Sequence, residues 1–94
     1  MSGNKCFNIK VSGKVQGVGY RFHVRGTAEK FGLSGWVKNL RDGDVEIEVL
    51  GERPKIDSFI TEITRKDGYF HVIDIKINEI NSDKGYNGFT INFY

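Results

Sequence analysis

A glycine-rich stretch carries the residues most able to do chemistry in this sequence. It reads Gly13-Lys14-Val15-Gln16-Gly17-Val18-Gly19-Tyr20-Arg21. Between a strand and a helix, glycines let successive backbone N–H groups converge on one point, and the helix N-terminus adds partial positive charge. Arg21 falls in the first predicted helical turn, where its guanidinium could hold a phosphoryl group through two donors. The stretch therefore predicts an anion site.

The same local pattern also has a plainer interpretation. Glycines between a strand and a helix are often turn residues only, and many arginines begin helices without binding a ligand. The stretch is not a Walker loop, because no GK[ST] follows, and its glycine spacing differs from the dinucleotide fingerprint. On local pattern alone, anion binding and a simple turn remain alternatives.

Other reactive side chains have weaker support. His23 lies two residues after Arg21, so on a helix it points away from Arg21 and is expected at the surface. Cys6 lacks an accompanying histidine signature, and Trp36 is explained more simply by packing than as a binding platform. The alternating charges of residues 41–48 are interpreted as the solvated face of a hairpin.

The elements that must position these residues follow from hydrophobic periodicity. Alternation predicts strands over residues 6–12, 35–40, 45–51, 71–77 and 88–93, with Ile73, Ile75 and Ile77 on one face of the fourth. A helix begins at Tyr20, and Gly32 is placed to end it in the left-handed conformation. A second helix begins with Pro54 as its first residue. The apolar stripes of the two helices are Tyr20, Val24, Ala28, Phe31 and Ile56, Phe59, Ile60, Ile63.

The second and third strands are predicted to form a hairpin at Asp42-Gly43, as a type I′ turn with positive φ at both residues. The order β-α-β-β-α-β with an extra terminal strand predicts an α+β fold. It is a ferredoxin-like split βαβ sandwich, an antiparallel sheet with both helices on one face. In that order strands one and three are central and strand two pairs with strand three. The end of strand two, with Asn39, then lies near the loop after strand one.

Composition narrows the class of protein. Residues 1–94 are expected to form a single domain held by packing, because one cysteine can form neither an internal disulfide nor a structural zinc site. A net charge of +2 is too small for a dedicated DNA-binding surface. No apolar run approaches the roughly 20 residues of a membrane span, and the chain begins with polar residues. These features predict a cytoplasmic monomer that binds neither nucleic acid nor membrane.

Two motifs in order resemble the acylphosphatase family. Residues 13–21 with Ala28 are similar to its first signature, and Gly35-Trp36-Val37-Lys38-Asn39, Gly43-Asp44-Val45 and Gly51 are similar to its second. The resemblance extends over the whole chain. It implies a hydrolase that splits acyl phosphates into a carboxylate and inorganic phosphate without metal or cofactor.

The resemblance also implies roles for individual residues. Arg21 and Asn39 correspond to the catalytic pair. The phosphate-binding loop corresponds to Gln16, Gly17, Val18, Gly19 and Tyr20. Arg21 and the loop N–H groups are expected to hold the phosphoryl oxygens, and Asn39 to orient the attacking water.

Two other functions remain open. A ferredoxin-like sheet can present aromatic side chains to single-stranded RNA, and Trp36, Phe89 and Phe93 all fall on predicted strands. A degenerate domain could bind phosphate without hydrolysing it. Carbamoyl phosphate and 1,3-bisphosphoglycerate are candidate substrates between which the sequence does not choose.

Overall fold

In the part of the chain that the structure describes, seven elements follow one another in the predicted order. The computed structural model describes residues 4–66, 68–81 and 85–93, so the polar start of the chain at residues 1–3 lies outside the described residues. The elements are β1 (Asn4–Lys14), α1 (Tyr20–Lys30), β2 (Ser34–Asn39), β3 (Val45–Glu52), α2 (Arg53–Ile63), β4 (His71–Ile80) and β5 (Phe89–Asn92). Pro54 is the second helical residue of α2 rather than the first, and still lies in the first turn, where its missing N–H is tolerated.

The strands form one sheet in the order β4-β1-β3-β2-β5. The α+β ferredoxin-like arrangement is confirmed, with β1 and β3 central and β2 paired to β3. The sheet is antiparallel through β1, β2, β3 and β4, but β5 runs parallel to β2, so the complete sheet is mixed. The reason is that β4 ends at the end of the sheet where β2 begins. A strand that enters from there beside β2 runs in the same direction.

The core lies between one sheet face and the two helices. Alternate residues of β1 and β3 are completely buried, and both helical stripes point at them, as predicted. The largest fully buried side chains are Tyr20, Phe59, Ile9, Ile47, Ile56, Ile63, Val11, Val15, Val24, Val37, Val45 and Val49. Phe31 and Ile60, the remaining stripe residues, are partly buried against this cluster. No helix in the described part of the chain is long and apolar enough to cross a membrane.

Gly32 ends α1 as predicted. Its φ is +68°, and its N–H donates to the Glu29 carbonyl at 3.1 Å. The Leu33 N–H donates to the Ala28 carbonyl at 2.9 Å. This pair of bonds is a Schellman motif, which satisfies carbonyls that the helix end would leave unpaired.

The β2–β3 hairpin forms, but its predicted turn type is wrong. Gly43 has a φ of +98°, whereas Asp42 has a negative φ. The Gly43 N–H donates to the Leu40 carbonyl at 3.3 Å and the Leu40 N–H to the Asp44 carbonyl at 2.8 Å, which closes a three-residue loop. Asp42 avoids the strained left-handed region, and its Oδ1 accepts the Asp44 N–H at 3.0 Å.

The predicted face of β4 is interrupted by a β-bulge. Ser12 pairs with Asp74 and Gly13 with Val72, so Ile73 is an extra residue. Val72 and Ile75 pack against the core, while Ile73 is 75% exposed. The expectation that Ile73 shares one face with Ile75 was therefore wrong, because strict alternation assumes an uninterrupted ladder. Gly13 suits the bulge, since it has a φ of +130° and a Cβ there would overlap the His71 carbonyl oxygen.

Candidate active site

The loop at residues 15–19 connects β1 to α1 and contains two glycines in the left-handed conformation. Gly17 has a φ of +74° and Gly19, the N-cap of α1, a φ of +80°. A Cβ at either would meet no atom within 4 Å, so the backbone conformation, not lack of space, requires glycine. Within the described part of the chain, the N–H groups of Gly17, Val18 and Gly19 donate to no protein acceptor. Such unpaired donors at a helix N-terminus can bind an anion.

Arg21 lies in the first turn of α1 and is half-buried. Its Cζ lies 5.2 Å from the centroid of the Phe93 ring, so the guanidinium stacks on an aromatic face. No carboxylate among residues 4–66, 68–81 and 85–93 forms an ion pair with it. Its planar set of donors is therefore available to an oxyanion.

Gln16 connects the loop to the hairpin that follows β2. Its Nε2 donates to the Leu40 carbonyl at 2.7 Å and to the Asp44 carbonyl at 2.8 Å. Both amide hydrogens are thus used inside the protein, and only the backbone N–H of Gln16 remains for the predicted phosphate-binding role. Sequence reasoning missed this contact. The Gln16 side chain holds the loop against the residue that follows Asn39.

Asn39 is the last residue of β2 and pairs with Val45 on β3. Val45 pairs with Val11 on its other side, so Asn39 and Val11, near the end of β1, lie in one row across the sheet. The separation is two strand spacings, roughly 10 Å. The Asn39 Oδ1 is buried, and within the described residues it has no hydrogen-bond partner. A buried polar atom without a partner is unfavourable, so this oxygen is poised to accept a hydrogen bond from a water or ligand.

Strand direction brings these groups to one end of the sheet. β1, β2 and β5 run in the same direction, because β3 is antiparallel to both β1 and β2 and β5 is parallel to β2. The loop after β1, Asn39 at the end of β2 and Phe93 just after β5 therefore share that end. The predicted proximity of Asn39 to the loop is observed. Phe93 was not predicted in the site, and its position next to Arg21 follows from the parallel direction of β5.

The Tyr20 side chain is structural. Its ring is 1% exposed, and its hydroxyl donates to the Ile63 carbonyl at 2.9 Å, which ties α1 to α2. Burial raises the pKa of the Tyr20 phenol. Only the backbone of Tyr20 can therefore contribute to the phosphate-binding loop that the sequence predicts.

His23 is not the surface residue that the sequence predicts. It is half-buried, its ring centroid lies 4.9 Å from that of Phe70, and its Nε2 lies 3.4 Å from the Glu62 carbonyl. It lines a recess of about 100 Å³ that contains none of the predicted site residues.

Among the described residues, no group of three or more His, Cys, Asp or Glu side chains could hold a metal ion.

The hairpin charges are less solvated than expected. Glu48 is only 7% exposed and pairs with Asn8 on one side and Trp36 on the other. Glu46 is half-buried and accepts the Asn8 Nδ2 hydrogen at 2.9 Å. Arg41 and Asp42 at the turn are exposed as expected. The expectation of a solvated face was wrong for Glu46 and Glu48, because β3 is an inner strand and neighbouring side chains cover its outer face.

The three strand aromatics do not form a shared platform for RNA bases. Trp36 is half-buried and Lys38 lies over its ring at 5.2 Å. Phe89 is 6% exposed in the core, on the helix side of the sheet, whereas Trp36 alternates with the buried Val37 and faces the other side. Phe93 stacks on Arg21 at the end of the sheet. Bases could not stack on a row of these rings, so the geometry gives the RNA hypothesis no support.

Comparisons with known proteins agree on one family. The family model described as Acylphosphatase matches residues 7–91. A curated protein named Acylphosphatase from Clostridium beijerinckii is 43% identical over 87 residues, which are 93% of this chain and 97% of that protein. The crystal structure of acylphosphatase from Bacillus subtilis superimposes with a TM-score of 0.88 at 39% identity, covering 94% of this chain and 98% of that one. An acylphosphatase structure from Coxiella burnetii also has a TM-score of 0.88, at 38% identity, covering 96% of this chain and 94% of that one.

Proposed function

The chain belongs to the acylphosphatase family, and we propose that it hydrolyses acyl phosphates through a water oriented by Asn39 and a phosphoryl group held by Arg21 and the loop at residues 16–20. Hydrolysis of acyl phosphates is the activity of this family, and the protein is an acylphosphatase. The residue roles and the sequence of events constitute the proposal.

In the proposed complex, Arg21 and the N–H groups of Gly17, Val18 and Gly19 surround the three non-bridging phosphoryl oxygens. The transition state of phosphoryl transfer spreads negative charge over these oxygens, so fixed donors aimed at them lower the barrier. The left-handed glycines support this role, because they set the direction of the N–H groups before substrate arrives. The absence of an ion pair on Arg21 within the described residues also supports it.

Asn39 acts on the attacking water. Its Oδ1 accepts a hydrogen bond from a water and turns a lone pair of that water toward phosphorus. The new bond forms between the water oxygen and phosphorus, and the bond from phosphorus to the acyl oxygen breaks with its electron pair. A carboxamide is a poor base, so the water proton passes to a phosphoryl oxygen. The departing carboxylate needs no proton, because its conjugate acid has a pKa of about 4.

One observation carries this assignment: the Asn39 Oδ1 is buried and has no hydrogen-bond partner in the described part of the protein. A water bound there would satisfy that oxygen. The two hydrogen bonds from Gln16 support the assignment further, because they hold the end of β2 against the phosphate-binding loop.

The test is hydrolysis of benzoyl phosphate in the presence of EDTA by the wild type, Arg21→Ala and Asn39→Ala. We expect metal-independent turnover in the wild type and a loss of about 100-fold or more in kcat in each variant. Arg21→Ala should also lose the stabilisation of the fold by inorganic phosphate, whereas Asn39→Ala should keep it, because phosphate needs no attacking water.

Two control variants remove the same side-chain types elsewhere. Arg25→Ala removes an arginine that stacks on Phe22 of the same helix, and Asn78→Ala removes an exposed asparagine of the edge strand β4. Both should keep wild-type activity. Wild-type turnover in Asn39→Ala would overturn its assignment, and phosphate stabilisation without turnover in the wild type would indicate a phosphate-binding domain instead.

A further inference from the structure

Phe93 is a large apolar side chain that the core does not use. It is 75% exposed, although Phe89 and Ile91, which precede it at alternate positions of the same strand, pack in or against the core. One face of its ring lies under the Arg21 guanidinium, with 5.2 Å between Cζ and the ring centroid. The exposed surface of this phenyl ring is apolar, and a ligand that covers it gains the free energy of its burial.

The position of Phe93 relates it to both proposed catalytic residues. Asn92 pairs with Lys38 in the parallel β2–β5 ladder, so Phe93 follows β5 where Asn39 ends β2. Alternation along β5 places residues 89, 91 and 93 on the helix side of the sheet, where α1 contacts β5. The ring therefore lies at the opening of the site, between the first turn of α1 and the end of β2.

We propose that Phe93 recognises the acyl group and that the enzyme prefers acyl phosphates with a flat, apolar acyl group. This inference rests on the proposed function. With the phosphoryl oxygens on Arg21 and the loop, the acyl carbon is separated from phosphorus by a single bridging oxygen. The acyl group therefore lies close to Arg21, and the Phe93 ring, which stacks on that guanidinium, has an exposed surface for it to contact. An aromatic acyl group can pack against that ring, and an acetyl group is too small to do so.

The experiment compares kcat/KM for benzoyl phosphate and acetyl phosphate in the wild type and Phe93→Leu. Leucine keeps an apolar side chain but removes the aromatic face. We expect the benzoyl-to-acetyl ratio of kcat/KM to fall about three- to tenfold, the range that corresponds to one aromatic contact. The inhibition constant of inorganic phosphate, which has no acyl group, should stay within twofold of the wild-type value. Phe93→Tyr should retain the wild-type ratio.

Phe22→Leu is the matched control, because Phe22 is a 62% exposed ring that stacks on Arg25 of the same helix at 5.5 Å. It should leave the ratio unchanged. The proposal is overturned if Phe93→Leu keeps the wild-type ratio, or if Phe22→Leu lowers it equally. It is also overturned if both substrates and phosphate weaken together in Phe93→Leu, since the ring would then act only by orienting Arg21. Failure of the wild type to hydrolyse either substrate would instead overturn the proposed function.

Discussion

At the scale of single residues, the two amide side chains near the site use their hydrogen-bonding groups in opposite ways. Gln16 donates both amide hydrogens to backbone carbonyls of the hairpin. Asn39 keeps its oxygen buried and, among the described residues, without a partner. The first arrangement holds two segments together, and the second leaves an acceptor for a reactant. The same functional group is therefore structural in one case and, in the proposed mechanism, catalytic in the other.

Gln16→Ala tests the structural part of this pair. Loss of two partly buried hydrogen bonds should lower the free energy of unfolding by about 1–2 kcal/mol. It should also lower kcat/KM by about tenfold or more, because the loop and Asn39 lose their mutual alignment. Urea unfolding and benzoyl phosphate kinetics measure the two effects. Thr64→Ala, which loses a hydrogen bond from Oγ1 to the Ile60 carbonyl within one segment, should keep its activity. Full activity in Gln16→Ala would contradict the alignment role.

Tyr20→Phe tests the buried phenol, and its effect depends on pH. Burial raises the pKa of Tyr20, so the folded state favours the neutral phenol. The stability from this group is present below the unfolded pKa of about 10 and is lost as the pH rises above it. Tyr20→Phe also removes the bond to the Ile63 carbonyl, which should lower the free energy of unfolding at pH 7 by about 1–2 kcal/mol.

The measurement is urea unfolding of the wild type and Tyr20→Phe between pH 7 and pH 11. The difference in unfolding free energy should narrow above pH 10, because only the wild type loses the contribution of a neutral Tyr20. Tyr69→Phe is the control for loss of an exposed phenol, since Tyr69 is 75% exposed, and it should lower the free energy of unfolding at pH 7 by less than Tyr20→Phe does. A Tyr20→Phe difference that widens with pH would contradict the assignment.

At the scale of elements, the loop between β1 and α1 contains a glycine whose backbone conformation would strain any other residue, although the space around it is empty. Gly19 needs glycine for its φ of +80°, yet nothing lies within 4 Å of the point where a Cβ would be. A substitution would thus perturb the direction of the N–H groups without a steric clash. Gly88, at the start of β5, has nearly the same φ of +79° and the same open surroundings. The two glycines differ in place: Gly88 lies at the end of the sheet opposite the proposed site.

Gly19→Ala and Gly88→Ala therefore form a matched pair. Each should lower the free energy of unfolding by about 1–2 kcal/mol, the energy of a left-handed non-glycine residue. Only Gly19→Ala should weaken inhibition by inorganic phosphate and lower kcat/KM, because only its N–H belongs to the proposed phosphate-binding loop. Equal kinetic effects in the two variants would argue against that loop as the phosphate site.

At the scale of the whole molecule, the sheet formed by the described residues has two open edges, and the longer one is β4. Ile73 and Ile77 on this strand are 75% and 43% exposed. Unpaired edges with apolar side chains favour pairing between molecules, while bulges and lysines oppose it. The bulge at Ile73 and the edge residue Lys76 are features of the second kind. We expect the protein to be a monomer in dilute solution and its slow aggregation to begin at β4.

Ile73→Lys tests this expectation. The exposed position should change the free energy of unfolding by no more than about 0.5 kcal/mol, while aggregation at high protein concentration becomes slower. Ile75→Lys is the contrasting variant, because Ile75 packs against the core and a charge there should destabilise the fold. Light scattering and urea unfolding make the comparison. If Ile73→Lys aggregates at the wild-type rate, association between molecules does not begin at β4.

Local residue patterns were sufficient for the element order, both helical stripes and the end of α1 at Gly32. These features depend on neighbours a few positions apart, such as the recurrence of Tyr20, Val24 and Ala28 along a helix. The candidate site residues came from the resemblance of two short motifs to the acylphosphatase signatures. Loop glycines and strand ends lie next to their elements in sequence, so their places in the fold could be inferred with it.

Tertiary structure alone decided the direction of β5, the bulge at Ile73, the contacts of Gln16 and the stacking of Phe93 on Arg21. Each of these features joins segments far apart in the chain. A residue such as Phe93 continues the alternation of its strand whether or not an arginine lies above it. The sequence by itself determined which elements form and which residues stand at their ends. Long-range pairing determined which of those ends meet, because it depends on which strands lie side by side and in which direction they run.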